Sequence, residues 1–283
     1  MTAIPKKQNV PATLGRMLAM LILICLSAMV LIPLVWTVCM SLKPEGEIYN
    51  GLFFPSHPVW RNYYDAVTKI NFFRYLLNTI LIVIPNVIGQ VISCSLVAYG
   101  FSRFDFRGKR VWFLILLATM MIPGQVTMIP QYLLYRLMGW VDTFLPLTVP
   151  AFFATSGYNV FLIRSYMSGI PKDFDEAATI DGAGPVRSFA QIMMPMCKPV
   201  LTAISVFTFM GTWNDFNGPL IYLISADKQT LSIGLSFFKG LYTSKWHLLM
   251  AASVLVMLPI LIIFFCAQDY IIDGISISSG TKG

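Results

Sequence analysis

The chain has 283 residues, 57% of them hydrophobic and only 12% charged, which is far from the profile of a soluble enzyme and points to an integral membrane protein. Its 20 Lys and Arg outnumber 13 Asp and Glu, for a formal net charge of +7. These basic residues sit at the ends of apolar tracts instead of on an aromatic-interleaved face, so they read as topology signals and not as a nucleic-acid surface.

Six tracts reach the roughly 20 apolar residues that a bilayer crossing needs. They run at about 14–40, 73–100, 111–131, 144–166, 200–225 and 247–268, and predict an all-α integral membrane protein forming one domain over 1–283. The first tract is too long for a signal-peptide core and contains Pro33, so it is expected to be a retained anchor. Lys6, Lys7 and Arg16 precede it, Arg103, Arg107, Lys109 and Arg110 crowd the second-to-third connection, and Arg164, Lys172, Arg187 and Lys198 flank the fourth-to-fifth. With Lys282 these make twelve on one side against eight on the other, so both termini and the 167–199 loop are expected in the cytoplasm.

The first external connection, about 41–72, is rich in Pro, aromatic and turn residues and predicts an irregular cap with a short helix near Asn62–Lys69. In the second span Asn78, Asn86 and Gln90 fall on one side near Pro85, where an amide serves either helix-to-helix bonding or a water-lined path. The third span contains Met120-Met121-Ile122-Pro123-Gly124-Gln125 and Met128-Ile129-Pro130-Gln131, each predicting a break in regular helix; Gln125 is a candidate path residue.

Residues 171–199 form a charged island. Pro171 suits a first helical turn, Asp173, Asp175 and Glu176 complement the positive end of a helix dipole, and Asp181-Gly182 stops that helix. Pro185 opens a second helix with an apolar face of Val186, Phe189, Ala190 and Met193, while Arg187, Ser188 and Gln191 point away and Pro195 and Pro199 end it. The fifth span carries Gly211-Thr212-Trp213-Asn214-Asp215-Phe216-Asn217-Gly218-Pro219. Asp215 lies roughly 24 Å along the helix from Pro199, and Pro219 lacks the N–H that would bond the Asp215 carbonyl. Trp213, Asn214 and Asp215 together offer a ring for a sugar's C–H face and planar polar groups for its hydroxyls; capping a helix break is the alternative role.

Several chemistries find no support. Cys25, Cys39, Cys94, Cys197 and Cys266 are scattered, and His57 and His247 have no metal-ligand spacing, so neither a disulfide framework nor a metal site is indicated. There is no phosphate-binding glycine loop and no convergent Ser/His/Asp set, which argues against ATP binding or catalysis within this polypeptide.

Glu176-Ala177-Ala178, Asp181-Gly182-Ala183, Ile192 and Pro195 resemble the EAA loop of the membrane subunits of bacterial ATP-binding-cassette importers, with Met194 where that family usually has Leu. Ser41-Leu42-Lys43-Pro44, Asn62-Tyr63, Gln229-Thr230-Leu231-Ser232-Ile233-Gly234-Leu235 and Gln268-Asp269-Tyr270-Ile271-Ile272-Asp273-Gly274 are similar to the carbohydrate-importer subfamily, the maltose-type second permease subunit in particular. The resemblance implies six spans, a cytoplasmic coupling helix-turn-helix between spans four and five, and the bacterial plasma membrane as location. It implies alternating-access import of an oligosaccharide or related sugar delivered by an extracytoplasmic solute-binding protein. Two nucleotide-binding ATPase subunits would hold ATP and Mg, and a second permease subunit would complete a heterodimer. Glu176, Ala177, Ala178, Asp181 and Gly182 would dock on an ATPase subunit, and the tail bearing Lys282 would reach the ATPase dimer interface. Glycerol phosphate or an acidic sugar is the nearer alternative cargo; a secondary transporter, for which only Asp215 is a candidate ionisable group, is the more distant one.

Overall fold

The computed structural model describes residues 12–240 and 244–278. In chain order its main helices are α1 (Ala12–Ser41), α2 (Arg61–Thr68), α3 (Phe72–Arg103), α4 (Lys109–Thr119), α5 (Gly124–Leu137), α6 (Gly157–Ser168), α7 (Asp173–Ile180), α8 (Pro185–Met196), α9 (Lys198–Trp213), α10 (Asn217–Tyr222), α11 (Leu231–Ser236) and α12 (Trp246–Ser278). Among the described residues the only β pairing is an isolated bridge between Lys239 and Ser244.

Among the described residues four helical stretches are long and apolar enough to cross a membrane, namely Gly15–Ser41, Phe72–Arg103, Leu145–Ser168 and Trp246–Gln268. The number reaches six if each of two bent pairs, α4 with α5 and α8 with α9, counts as one span. The interruption expected in the third tract occurs as a 96° bend between α4 and α5. Pro123 is extended there and disfavours helix at the residue before it. The second expected break does not form: α5 runs through Pro130 to Leu137, because losing one backbone bond on an exposed helix leaves the rest of the ladder intact. The fifth tract also departs from expectation. Instead of one helix over 200–225, α9 stops at Trp213 and α10 restarts at Asn217.

The chain divides into two units, one comprising the chain up to Ala66 with Phe238–Leu255, the other Val67–Phe237 with the chain from Val256. In the first unit the predicted cap folds around Lys43, which is 1% exposed. Its ammonium donates to the Leu52 carbonyl and, at 3.4 Å, to Asn50 Oδ1. Asn62 on α2 donates to the Ser41 and Lys43 carbonyls, both at 2.9 Å, which satisfies polar backbone where α1 ends.

In the second unit α3 is the axis. Cys94, Ala98 and Tyr99 on α3 pack with Val160, Ile163 and Met167 on α6 and with Met193, Val200 and Ile204 on α8 and α9. The approach is close enough that a Cβ built on Gly89 would lie 3.0 Å from the Ala151 carbonyl carbon, so only glycine fits without displacing backbone. Of the three amides on α3, Asn78 donates at 2.8 Å to the Asp227 and Gln229 carbonyls, and Gln90 donates at 3.2 Å to Thr155 Oγ1. Asn86 donates to the Leu147 carbonyl. All three therefore join α3 to neighbouring segments, and Asn86 and Gln90 also face open space.

Candidate functional site

The 167–199 segment folds as a helical hairpin. Helix α7 begins at Asp173, two residues after Pro171, so Pro171 precedes the first turn instead of sitting in it. Asp173, Asp175 and Glu176 occupy that first turn, where the dipole favours negative charge. Its end is a Schellman cap: Ala183 N donates to Ala178 O at 2.8 Å, Gly182 N donates to Thr179 O at 3.1 Å, and Gly182 adopts φ +76°. Ala178 is buried against the hairpin, whereas Glu176, Ala177, Asp181 and Gly182 are exposed.

The second helix presents a different face from the one expected. Ser188 is buried and Val186 is 82% exposed. Residues Phe189–Met193 form a π segment in which Met194 N bonds Phe189 O, and Ser188 faces the cleft under the hairpin while Val186 and Ala190 are exposed. With Ile180 at 86% and Phe174 at 46%, the hairpin shows an apolar ridge bordered by carboxylates.

Beneath the hairpin, Arg103 at the tip of α3 meets Asp175. Its Nε lies 2.9 Å from Asp175 Oδ2, with the N–H aimed away from the oxygen, so the contact is an ion pair and not an aligned hydrogen bond. A second guanidinium nitrogen donates to Ile170 O at 3.0 Å. Arg103, Lys172, Asp175 and Glu176 line a cleft of about 350 Å³ between the hairpin and α3.

A second candidate site lies along α3. Two adjoining cavities of about 260 and 270 Å³ share Asn86, Gly211 and Thr212. The first adds Thr79, Asp215 and Thr230, and the second adds Gln90, Asn159 and Thr208. Among the described residues their lining holds one carboxylate and no Lys, Arg or His. Hydroxyls, amides and one acid suit a polyhydroxylated solute. Of the expected aromatic-amide-acid trio, only Asp215 reaches this space. Trp213 is 3% exposed, and its indole N–H donates to Val256 O at 3.1 Å. Asn214 folds back on Met210 O at 2.8 Å. Gln125 lies exposed on α5, away from both cavities. Lys282 lies outside the described residues.

Thr79, Asn159 and Thr208 carry no signal in the sequence, and Thr212 and Thr230 stand there only as members of longer motifs, since single hydroxyls and one amide scattered over several segments give no local pattern. It also missed a clamp at Asp142, whose backbone takes the left-handed conformation at φ 62°. Asp142 accepts from Ile224 N at 3.0 Å, Ser225 N at 2.9 Å and Lys228 Nζ at 3.0 Å. Bonding by the Ser225 hydroxyl and amide, with Lys228 adding to it, holds the Asp142 carboxyl well below the usual carboxylate range. The clamp ties the loop after α5 to the loop after α10.

Comparison with known proteins identifies the class. Residues 90–277 match the family model described as binding-protein-dependent transport system inner membrane component. The chain is 33% identical over 265 residues to the diacetylchitobiose uptake system permease protein NgcG of Streptomyces coelicolor, covering 92% of this chain and 86% of that one. It is 31% identical over 263 residues to the arabinooligosaccharides transport system permease protein AraQ of Bacillus subtilis, covering 91% and 92%. A crystal structure of a bacterial ABC transporter involved in the import of the acidic polysaccharide alginate contains a chain that superposes with a TM-score of 0.80 over 95% of this chain and 100% of that one, at 23% identity, which shows the fold. The apolar helices, the EAA-patterned hairpin and these matches together place the chain in the family of inner-membrane permease components of binding-protein-dependent transport systems.

Proposed function

We propose that this permease imports an oligosaccharide by alternating access, as one half of a heterodimer with a second permease subunit. The bent pair α4 with α5 counts as one span and α9 as another, which with the four long stretches makes six, and both termini and the 173–196 hairpin lie in the cytoplasm. A solute-binding protein delivers the sugar outside. Two ATPase subunits hold ATP and Mg, and their closure pulls on the hairpin. The chain is a transport subunit and not an enzyme.

The observation that carries this reading is the hairpin itself. It joins the EAA pattern to an apolar ridge, Ile180 and Val186 being 86% and 82% exposed beside an acidic helix start. Large apolar side chains displayed on a rigid hairpin mark a protein interface. Glu176 pairs with a basic group of the ATPase, Ala177 allows close approach, and Asp181-Gly182 shapes the turn. The Lys282 tail adds a second contact to the ATPase pair. Co-purification of an ATPase subunit with the detergent-solubilised chain tests the docking. Glu176→Lys and Gly182→Pro should each lose the ATPase and ATP-dependent uptake; unchanged complex and uptake in both would refute it.

For the cargo, cavities with Asp215 and no cationic side chain favour a neutral sugar over glycerol phosphate or an acidic sugar, because an anion would meet a carboxylate with nothing to offset it. Oligosaccharide uptake by the relatives agrees in class. Uptake of labelled neutral oligosaccharides against uronate-containing ones decides this.

A further inference from the structure

We propose that Arg103 is a positioning residue that transmits hairpin movement to the path-lining helix α3; the inference rests on the ATPase-docking reading of the hairpin. The Arg103 side chain is 6% exposed and touches three stretches of the 167–199 segment. Nε pairs with Asp175 on α7 at 2.9 Å, and Nη2 reaches Ile170 O at 3.0 Å and Met193 Sδ on α8 at 3.8 Å. One planar fork thus holds both helices of the hairpin and the chain that leads into them. A lysine ammonium on a single stem cannot aim at all three.

One turn earlier on α3, Tyr99 seats the junction, its ring centroid 5.2 Å from that of Phe189 and 5.4 Å from that of Phe104. Burial makes the ion pair stiff in effect, since separating it would leave a charge without its partner in a poorly solvated place. The hairpin therefore moves with the tip of α3. Helix α3 is unbroken for 32 residues, about 48 Å. Three of its polar side chains, Thr79, Asn86 and Gln90, line the two cavities. The covalent route from the hairpin into α9 is softer, passing a π segment and a 78° bend.

The test uses the complete transporter, purified through its ATPase subunit, with Thr212→Cys as reporter. A charged thiol reagent is applied with and without ATP and vanadate, and modification of the thiol introduced at position 212 is followed by peptide mass spectrometry. Asp175→Asn and Arg103→Lys should both keep the ATPase bound yet reduce the nucleotide-dependent change in labelling by roughly fivefold or more, the lower range of intersite coupling. Arg103→Gln should lose more than Arg103→Lys. If the Arg103 variants do not reach the membrane, Asp175→Asn, nearly isosteric and on the outer helix, decides alone. Bound ATPase with an undiminished labelling change in Asp175→Asn overturns the proposal while leaving docking intact. Failure of the unsubstituted hairpin to bring down any ATPase overturns the docking reading and this inference together.

Discussion

The Ser232 hydroxyl donates to the Asp215 carbonyl at 2.6 Å. Pro219, four residues after Asp215, has no N–H to offer that carbonyl, and α9 has already stopped at Trp213. The break beside the polar cavity is therefore stabilised by a side chain from α11, seventeen residues away. Ser232→Ala leaves the carbonyl unpaired in a half-buried place and should lower stability by about 1–3 kcal/mol. The fraction of monodisperse protein surviving a heating series in detergent measures this; no shift in the midpoint would show that water replaces the hydroxyl.

Asp142 should behave as a charged clamp throughout the ordinary working range. Its folded-state pKa is depressed, so its contribution is fully present above the unfolded carboxylate value near 4 and is lost as pH falls through the lower folded value. Stability attributable to the clamp should then be flat from about pH 5 to 8. Asp142→Asn removes the charge at every pH, so its deficit against the parent should stay constant over that window and shrink only in stronger acid. Parallel melting series at several pH values check the sign.

Gly89 should tolerate no side chain. A Cβ there meets Ala151 backbone and the Phe152 ring at 3.0 Å, and the backbone contact cannot swing away. Gly89→Ala should destabilise by about 1–3 kcal/mol, as overpacking does. Gly100, with open space around its Cβ position and on the same helix, should accept alanine with no loss.

Gly182 closes the hairpin at φ +76° with no atom within reach of a Cβ, so the cost of alanine is conformational alone. Gly182→Ala should cost roughly 1–2 kcal/mol locally and weaken ATPase co-purification in part. Gly182→Asn, which visits the left-handed region more readily, should fall between glycine and alanine in the same assay.

Much of the architecture was legible because a bilayer span and a helix terminus are local matters. The tracts at 14–40, 73–100 and 247–268 need only composition to declare themselves, and Asp181-Gly182 announces a helix end because few other residues adopt a positive φ. The hairpin's acidic start and its motif lie within about twenty consecutive residues, so both its fold and its proposed partner could be read there.

What lay beyond the sequence depends on contacts between residues far apart along it. Arg103 read only as a topology charge, since nothing in spacing links it to Asp175, and Asp142 gave no sign of Ser225 and Lys228. Trp213 and Asn214 looked like sugar ligands beside Asp215, yet the break after Trp213 turns them to Val256 and Met210. Ser188 likewise lies inside, lining the cleft between the hairpin and α3. Composition and period determine which segments are helical and apolar. Helix ends, bends and buried hydrogen-bond partners decide which side chains converge, and those are settled only when distant donors and acceptors must be satisfied together.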